Sequence, residues 1–291
     1  MQIKSLQRQC VAALLAALLA ACSGGGSAPA TVAISSSGGA SVNPGSTTVT
    51  SPPSTPSTPT PTAGFTALVL KTRPTQFTGT QRCPPFLDYG TPSLSADFLC
   101  RTGFAIGHDP RTRTPLWVIE RIGLGSLNGG VERTDNFRAD PDLLPGRRAE
   151  LEDYSGSGYD RGHMAPAGNL TWSNQAMVES FYLSNIAPQN PALNRGAWAR
   201  LEENIRNWVL ERNDLIIITG PVFGMQDGVI GRSPVRIPQA FFKVVFDPVR
   251  REAVAFVYPN TDPATNDLAA YRVPLEQLEL TTGLALLSTR Q

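Results

Sequence analysis

Apolar positions along this chain fall into two recurring patterns. Short runs rich in β-branched and aromatic residues occur at 115–120 (PLWVIE), 214–219 (DLIIIT), 240–246 (AFFKVVF) and 253–258 (AVAFVY), and each predicts a strand. Asp247-Pro248 turns the chain between the last two. A helical repeat is clearest from Ala197 to Val209, where Trp198, Leu201, Ile205, Trp208 and Val209 recur at spacings of 3, 4, 3 and 1. Ser173 predicts the cap of a second helix running through Ala176, Met177, Ser180 and Phe181. Pro274 opens a third, with Leu275, Leu278 and Leu280 facing inward. Strands and helices interspersed without a strict βαβ rhythm predict an α+β fold.

All of these elements lie in residues 65–291, where neither a second linker nor a repeat interrupts the pattern, so this stretch is one domain of about 225 residues. Ahead of it, 32 of the 42 residues from Ser23 to Gly64 are Ser, Thr, Gly or Pro, and none is charged. Such a segment cannot bury enough apolar surface to offset its chain entropy, which makes 23–64 a disordered linker. Residues 1–21 have the form of a secretory signal, with Lys4 and Arg8 ahead of an apolar run, Val11 to Ala21, that is too short to span a bilayer comfortably.

The signal ends Leu19-Ala20-Ala21-Cys22, and two readings stand. In one, this is a lipobox and Cys22 is the lipidation site; in the other, cleavage is ordinary and Cys22 is incidental. A structureless tract directly after the cysteine favours the tether, since several acyl chains on one residue hold a protein on a membrane stably. Ser23 rather than Asp follows, which in the lipoprotein pattern directs the chain to the outer membrane. The expected location is therefore an exported outer-membrane lipoprotein facing periplasm or exterior, or a secreted protein if Cys22 is not used. Cys10 departs with the signal, leaving Cys83 and Cys100 in the domain. An oxidising compartment predicts that these two form a disulfide, worth about 3 kcal/mol through loop closure, with two buried thiols as the alternative.

Charge narrows the field of partners. The 25 basic residues, 22 of them Arg, nearly cancel the 24 acidic ones. Once Lys4 and Arg8 are removed the balance is 23 against 24. No strong net field then draws the chain onto a polyanion, and by that measure alone nucleic acid is an unexpected partner, although a local grip on one phosphate is still open.

The chain has two histidines. His108 falls in the turn-rich GHDPRTRTP and is expected at the surface. His163 falls in Tyr159-Asp160-Arg161-Gly162-His163-Met164, after a Gly/Ser-rich turn, and three further blocks accompany it. They are RTDNFRADP at 133–141, YLSNIAPQ at 182–189 and LNRGAWARLE at 193–202, with TGPVF following at 219–223. With the DRGH signature at 160–163 and these blocks in order, residues 65–291 resemble the DNA/RNA non-specific endonucleases of the ββα-metal class, the family of endonuclease G.

The resemblance implies a mixed α/β/α nuclease domain with a central, largely antiparallel sheet and a ββα-metal motif. It also implies hydrolysis of DNA and RNA, dependent on Mg²⁺ with Mn²⁺ as a substitute. His163 would be the general base, since a neutral imidazole accepts a proton near physiological pH. Asn185 matches the family's orienting Asn, and its segment could supply a carbonyl to the ring. Asn194 matches the metal ligand; one amide oxygen with waters suits Mg²⁺, which keeps much of its hydration shell. Glu202, eight residues on, would hold metal-bound waters, against the reading of an ordinary surface Glu such as Glu203. Arg161, two residues from His163 and so on the same side of an extended segment, would grip the scissile phosphate. Arg133 would be a second clamp, against a solvated Arg. Gly162 is expected to permit close backbone approach, and Asp160 to brace the motif. Asn169, Asn174 and Asn190 are read as turn or cap residues.

Two other classes compete. A catalytically idle envelope lipoprotein could keep the fold as a binding module, but His163, Asn194 and Arg161 are all present. A zinc peptidase lacks an HExxH motif, and two histidines do not build a typical zinc site.

Overall fold

The structure, a computed structural model, describes residues 64–68, 83, 87, 89, 91–92 and 97–287. The signal, Cys22 and nearly all of the linker lie outside these residues. Twelve strands are present among them: β1 (Thr66–Ala67), β2 (Asp97–Cys100), β3 (Phe104–Asp109), β4 (Thr114–Gly123), β5 (Asp160–His163), β6 (Ile186–Gln189), β7 (Asp214–Val222), β8 (Val229–Ile230), β9 (Val235–Arg236), β10 (Ala240–Asp247), β11 (Glu252–Pro259) and β12 (Arg272–Val273). The helices are α1 (Leu124–Leu127), α2 (Asn174–Ser180), α3 (Pro191–Leu193), α4 (Ala199–Arg212) and α5 (Leu275–Thr282).

Eight strands form one antiparallel sheet in the order β1-β11-β10-β7-β4-β3-β2, with β12 also on β11. Its four central strands contain the four predicted runs. The runs are apolar at nearly every position because helices or loops cover both faces. On one face Leu215, Ile217, Phe241, Val245 and Phe256 pack with Trp198, Leu201, Ile205 and Val209 of the long helical segment. On the other, Ile216, Ile218, Phe242, Val244 and Val257 pack with Leu278, Leu284 and Leu286. The result is an α/β/α stack in an α+β chain. Cys83 and Cys100 are joined in a disulfide, which ties Cys83 to edge strand β2.

Local sequence sets the helix ends. Ser173 Oγ accepts from the Ala176 amide and caps α2, as its position predicted. Asn190 caps α3 through its side-chain oxygen. Between α3 and α4 the helical path widens into a π turn at Asn194–Trp198, where Gly196 leaves helical geometry. α4 ends at Asn213, in positive φ. α5 buries Leu278 fully and half-buries Leu275, but Leu280 is 53% exposed and does not face inward as expected. Two residues after Leu278, it has turned about 200° away.

His108 also departs from expectation. It is fully buried in β3, because the turn in GHDPRTRTP begins only after Asp109, whose carbonyl accepts from the Arg113 amide. Neither ring nitrogen has a hydrogen-bond partner, and burial pushes its pKa down to about 4.

Candidate active site

β5 and β6 form a separate antiparallel ribbon, pairing Arg161 with Pro188 and His163 with Ile186. The DRGH signature is therefore strand, and alternation puts Arg161 and His163 on one side of it. There Phe137 lies 5.2 Å from the His163 ring and 4.3 Å below the Arg161 guanidinium. Phe181 meets His163 edge-on at 5.2 Å and carries the Arg133 guanidinium at 5.0 Å. The base candidate thus packs against two aromatic rings that also meet each other edge-on at 4.9 Å, and each of those rings carries an arginine.

His163 is 8% exposed, and its buried Nε2 has no hydrogen-bond partner. Burial, then the Arg133 and Arg161 charges, push its pKa down to about 3, with Asp135 opposing. The imidazole is neutral across the physiological range, as an acceptor of protons must be before it acts. Arg133 is half-exposed and pairs with Asp135 at 2.7 Å.

Asn194 opens the π turn. Its Nδ2 donates to Asp160 Oδ2 at 2.9 Å, which leaves Oδ1 as the amide atom not engaged by Asp160. Asp160 also accepts from Arg195 Nε and Nη2 at 2.8 and 2.6 Å. Burial would raise the Asp160 carboxyl, but these bonds outweigh it and hold the group below the usual carboxylate range. Asp160 therefore braces the strand against the helix, in the manner predicted.

Asn185 lies next to the His163 turn and bonds to that turn's backbone. Its side chain bonds only to backbone, accepting from the Ala165 amide and donating to the Ala165 and Ser180 carbonyls, all at 2.9 Å. Its main-chain carbonyl accepts from the Met164 amide at 3.0 Å. It fixes the turn after His163 rather than bonding to the ring, because Ala165 occupies its amide. Gly162 is likewise explained by a neighbour in the fold: a Cβ there would lie 2.2 Å from Gln189 Oε1 and 2.5 Å from Gln189 Cβ.

Glu202 and Glu203 separate as the sequence reading allowed. Glu203 is exposed, while the Glu202 side chain is 15% exposed and turned toward the sheet, 3.9 Å from Lys243 Nζ. Burial raises the Glu202 carboxyl, with Lys243 and Arg206 opposing. Beside it lies a group of buried polar residues that the sequence reading missed. Asn169, read as a turn residue, is buried and donates to Glu120 at 3.1 Å, and its oxygen accepts from Arg206 at 3.3 Å. Burial lifts the Glu120 carboxyl to about 7 against the pull of Lys243 and Asn169. Signals for these residues were present: Arg206 follows Glu202 by four, one turn up the same helix face, and Lys243 interrupts the apolar run AFFKVVF.

The donor set fits a hydrated hard cation. Among the described residues no cluster of three or more His, Cys, Asp or Glu could cage a metal. The Asn194 amide oxygen, not engaged by Asp160, instead suits an ion that keeps most of its waters.

A β-ribbon carrying the base candidate, followed by a helix carrying the amide candidate, defines a ββα-metal nuclease fold. A sequence profile of the DNA/RNA non-specific endonuclease family matches residues 84–291. The chain is 39% identical over 212 residues to mitochondrial endonuclease G of Homo sapiens, covering 67% of this chain and 71% of that one. It is 36% identical over 227 residues to the mitochondrial nuclease of Saccharomyces cerevisiae, covering 69% of each. The crystal structure of the EndoG/EndoGI complex, which concerns the mechanism of EndoG inhibition, matches with a TM-score of 0.66 at 32% identity, over 71% of this chain and 91% of that chain. The chain belongs to the DNA/RNA non-specific endonuclease family and is a nuclease, a phosphodiester hydrolase.

Proposed function

We propose that the chain is a Mg²⁺-dependent endonuclease that cuts DNA and RNA with little regard for sugar or base. The observation that carries this reading is the grouping of His163 with Phe137 and Phe181, rings that also carry the Arg161 and Arg133 guanidiniums. His163 takes a proton from the attacking water. Arg161 and Arg133 grip the scissile phosphate, each placed over an aromatic ring. Asn194 Oδ1 would hold the cation directly and Glu202 would hold it through water; when bound, the cation supplies positive charge against the charge developing on phosphate. Asn185 and Asp160 keep the His163 turn and the Asn194 helix in register. Groups aimed at phosphate read backbone rather than base, which supports action on both nucleic acids.

The test is nicking of supercoiled plasmid and digestion of RNA with Mg²⁺ or Mn²⁺, beside a chelator control and His163→Ala. Cutting that stops in both controls supports the reading, and undiminished cutting by His163→Ala overturns the mechanism.

Export on a lipid anchor at Cys22 is part of the same proposal, supported by the lipobox-like end of the signal and the uncharged tract after it. Mass spectrometry of the mature N-terminus tests it: an acylated Cys22 supports the anchor, and an unmodified terminus removes it.

A further inference from the structure

Beneath the candidate site lies a buried charge that the proposed chemistry does not use. Lys243 sits in the middle of β10, between Phe241 and Val245 on the face that packs against α4, and is 1% exposed. An ammonium so placed loses its hydration and persists only where partners replace the water. Its Nζ donates to Thr219 Oγ1 at 2.8 Å, from the β7 residue directly across from it in register. It donates at 3.4 Å to the main-chain carbonyl of Met164, the residue after His163. Glu202 Oε1 is 3.9 Å away, and the Trp198 ring lies under the ammonium at 4.8 Å. Lys243 therefore touches the sheet, the turn that carries the base and the helix that carries the cation-binding candidates.

We propose that Lys243 is a positioning residue for the nuclease reaction, an ammonium strut that fixes the Glu202 carboxylate relative to the His163 turn and so sets how firmly the divalent cation is held. The inference rests on the reading of Asn194 and Glu202 given above. An ammonium suits the task because its three donors diverge tetrahedrally. The two neutral oxygens of Thr219 and Met164 anchor it without cancelling its charge, which is left to face Glu202. Glu120 and Arg206 border the same space, so removing Lys243 leaves Glu202 with another buried acid nearby and with Arg206 and Arg133 as its remaining cations.

The experiment uses the full mature chain with Lys243→Gln, Lys243→Met, Glu202→Gln and the Lys243→Gln/Glu202→Gln double variant. Mn²⁺ binding to the free protein is measured by electron paramagnetic resonance, and kcat and KM are measured on an oligonucleotide. Lys243→Gln is expected to weaken Mn²⁺ binding about tenfold or more and to lower kcat, as changes to residues behind a metal ligand do. KM for the oligonucleotide should stay within about twofold, because the arginines that grip phosphate are untouched. In the double variant Lys243→Gln should add little to Glu202→Gln, since both act through one carboxylate.

Unchanged Mn²⁺ affinity in Lys243→Gln, or losses that multiply in the double variant, would overturn the proposal. If Lys243→Met fails to fold, the Gln variant, which keeps a donor for Thr219, is read alone. Failure of the Gln variant to fold would assign Lys243 to the sheet and overturn the proposal as well. An impaired Glu202→Gln beside a normal Lys243→Gln removes only the role of Lys243. A Glu202→Gln that binds Mn²⁺ and turns over normally removes the assignment of Glu202, and this inference with it.

Discussion

Asp160 and Asn194 are joined by a hydrogen bond from the amide nitrogen to the carboxylate, at 2.9 Å, across 34 residues of sequence. The bond decides which end of the Asn194 amide is left for a cation. It also ties the first residue of the strand that ends in His163 to the first residue of the π turn.

Asp160→Ala should therefore weaken the cation more than the substrate. Freed from Asp160, the Asn194 amide can rotate, and Arg195 loses its partner. The Mg²⁺ concentration giving half-maximal activity is expected to rise about tenfold or more, as for other residues that orient a metal ligand. A metal titration at saturating DNA checks it.

Replacing His163 by Ala removes the proposed proton acceptor. The expected loss in kcat is about 10²- to 10⁴-fold. The fold should lose the packing of the ring on Phe137 and Phe181 but no hydrogen bond at Nε2. Plasmid nicking and a melting curve on the same sample separate the two effects.

Gly162→Ala should damage the ribbon rather than the chemistry alone. Its Cβ would collide with both Cβ and Oε1 of the buried Gln189, and Gln189 faces Asp160 across the ribbon. A loss of about 1–3 kcal/mol is expected from such overpacking. Urea unfolding measures it, and a variant as stable as the parent would show that Gln189 can move aside.

Acid should unfold the domain partly through His108. Its folded pKa, about 4, lies below the ordinary value of 6.5, so between those limits the unfolded chain binds the extra proton. Stability from this residue is complete above pH 6.5 and falls as pH drops toward 4, by at most about 3 kcal/mol. His163, pushed down to about 3, adds a slope of the same sign, while Glu120, lifted to about 7, opposes both between its ordinary value and 7. Comparing wild type with His108→Gln isolates one contribution: their stability difference should shift against the wild type on going from pH 7 to pH 4.5.

The sheet and the long helix were legible in the sequence because their apolar spacing is set by burial. AFFKVVF and DLIIIT could only be strands covered on both faces, and Trp198, Leu201, Ile205 and Val209 mark one helix stripe. The DRGH strand was legible through its resemblance to a family rather than through spacing. His108 was misjudged because a turn-rich composition does not say on which residue the turn begins. Asn169, Glu120 and Lys243 were invisible as a group, since three charged or polar residues from separate elements meet only after the sheet has formed. Asn185 was placed at the right site, but pattern does not show that Ala165 takes both ends of its amide.

The Arg133–Asp135 pair bears on turnover. Asp135 holds an uncommon left-handed backbone, φ 48°, and its carboxylate stands beside the arginine that a phosphate would need. On the role proposed for Arg133, an arriving nucleic acid would exchange one anion for another there rather than add an anion to a vacant cation. The attraction gained on docking is only the difference between two ion pairs. The same exchange would run backward at the end of each cycle, with Asp135 competing against the cut strand for Arg133.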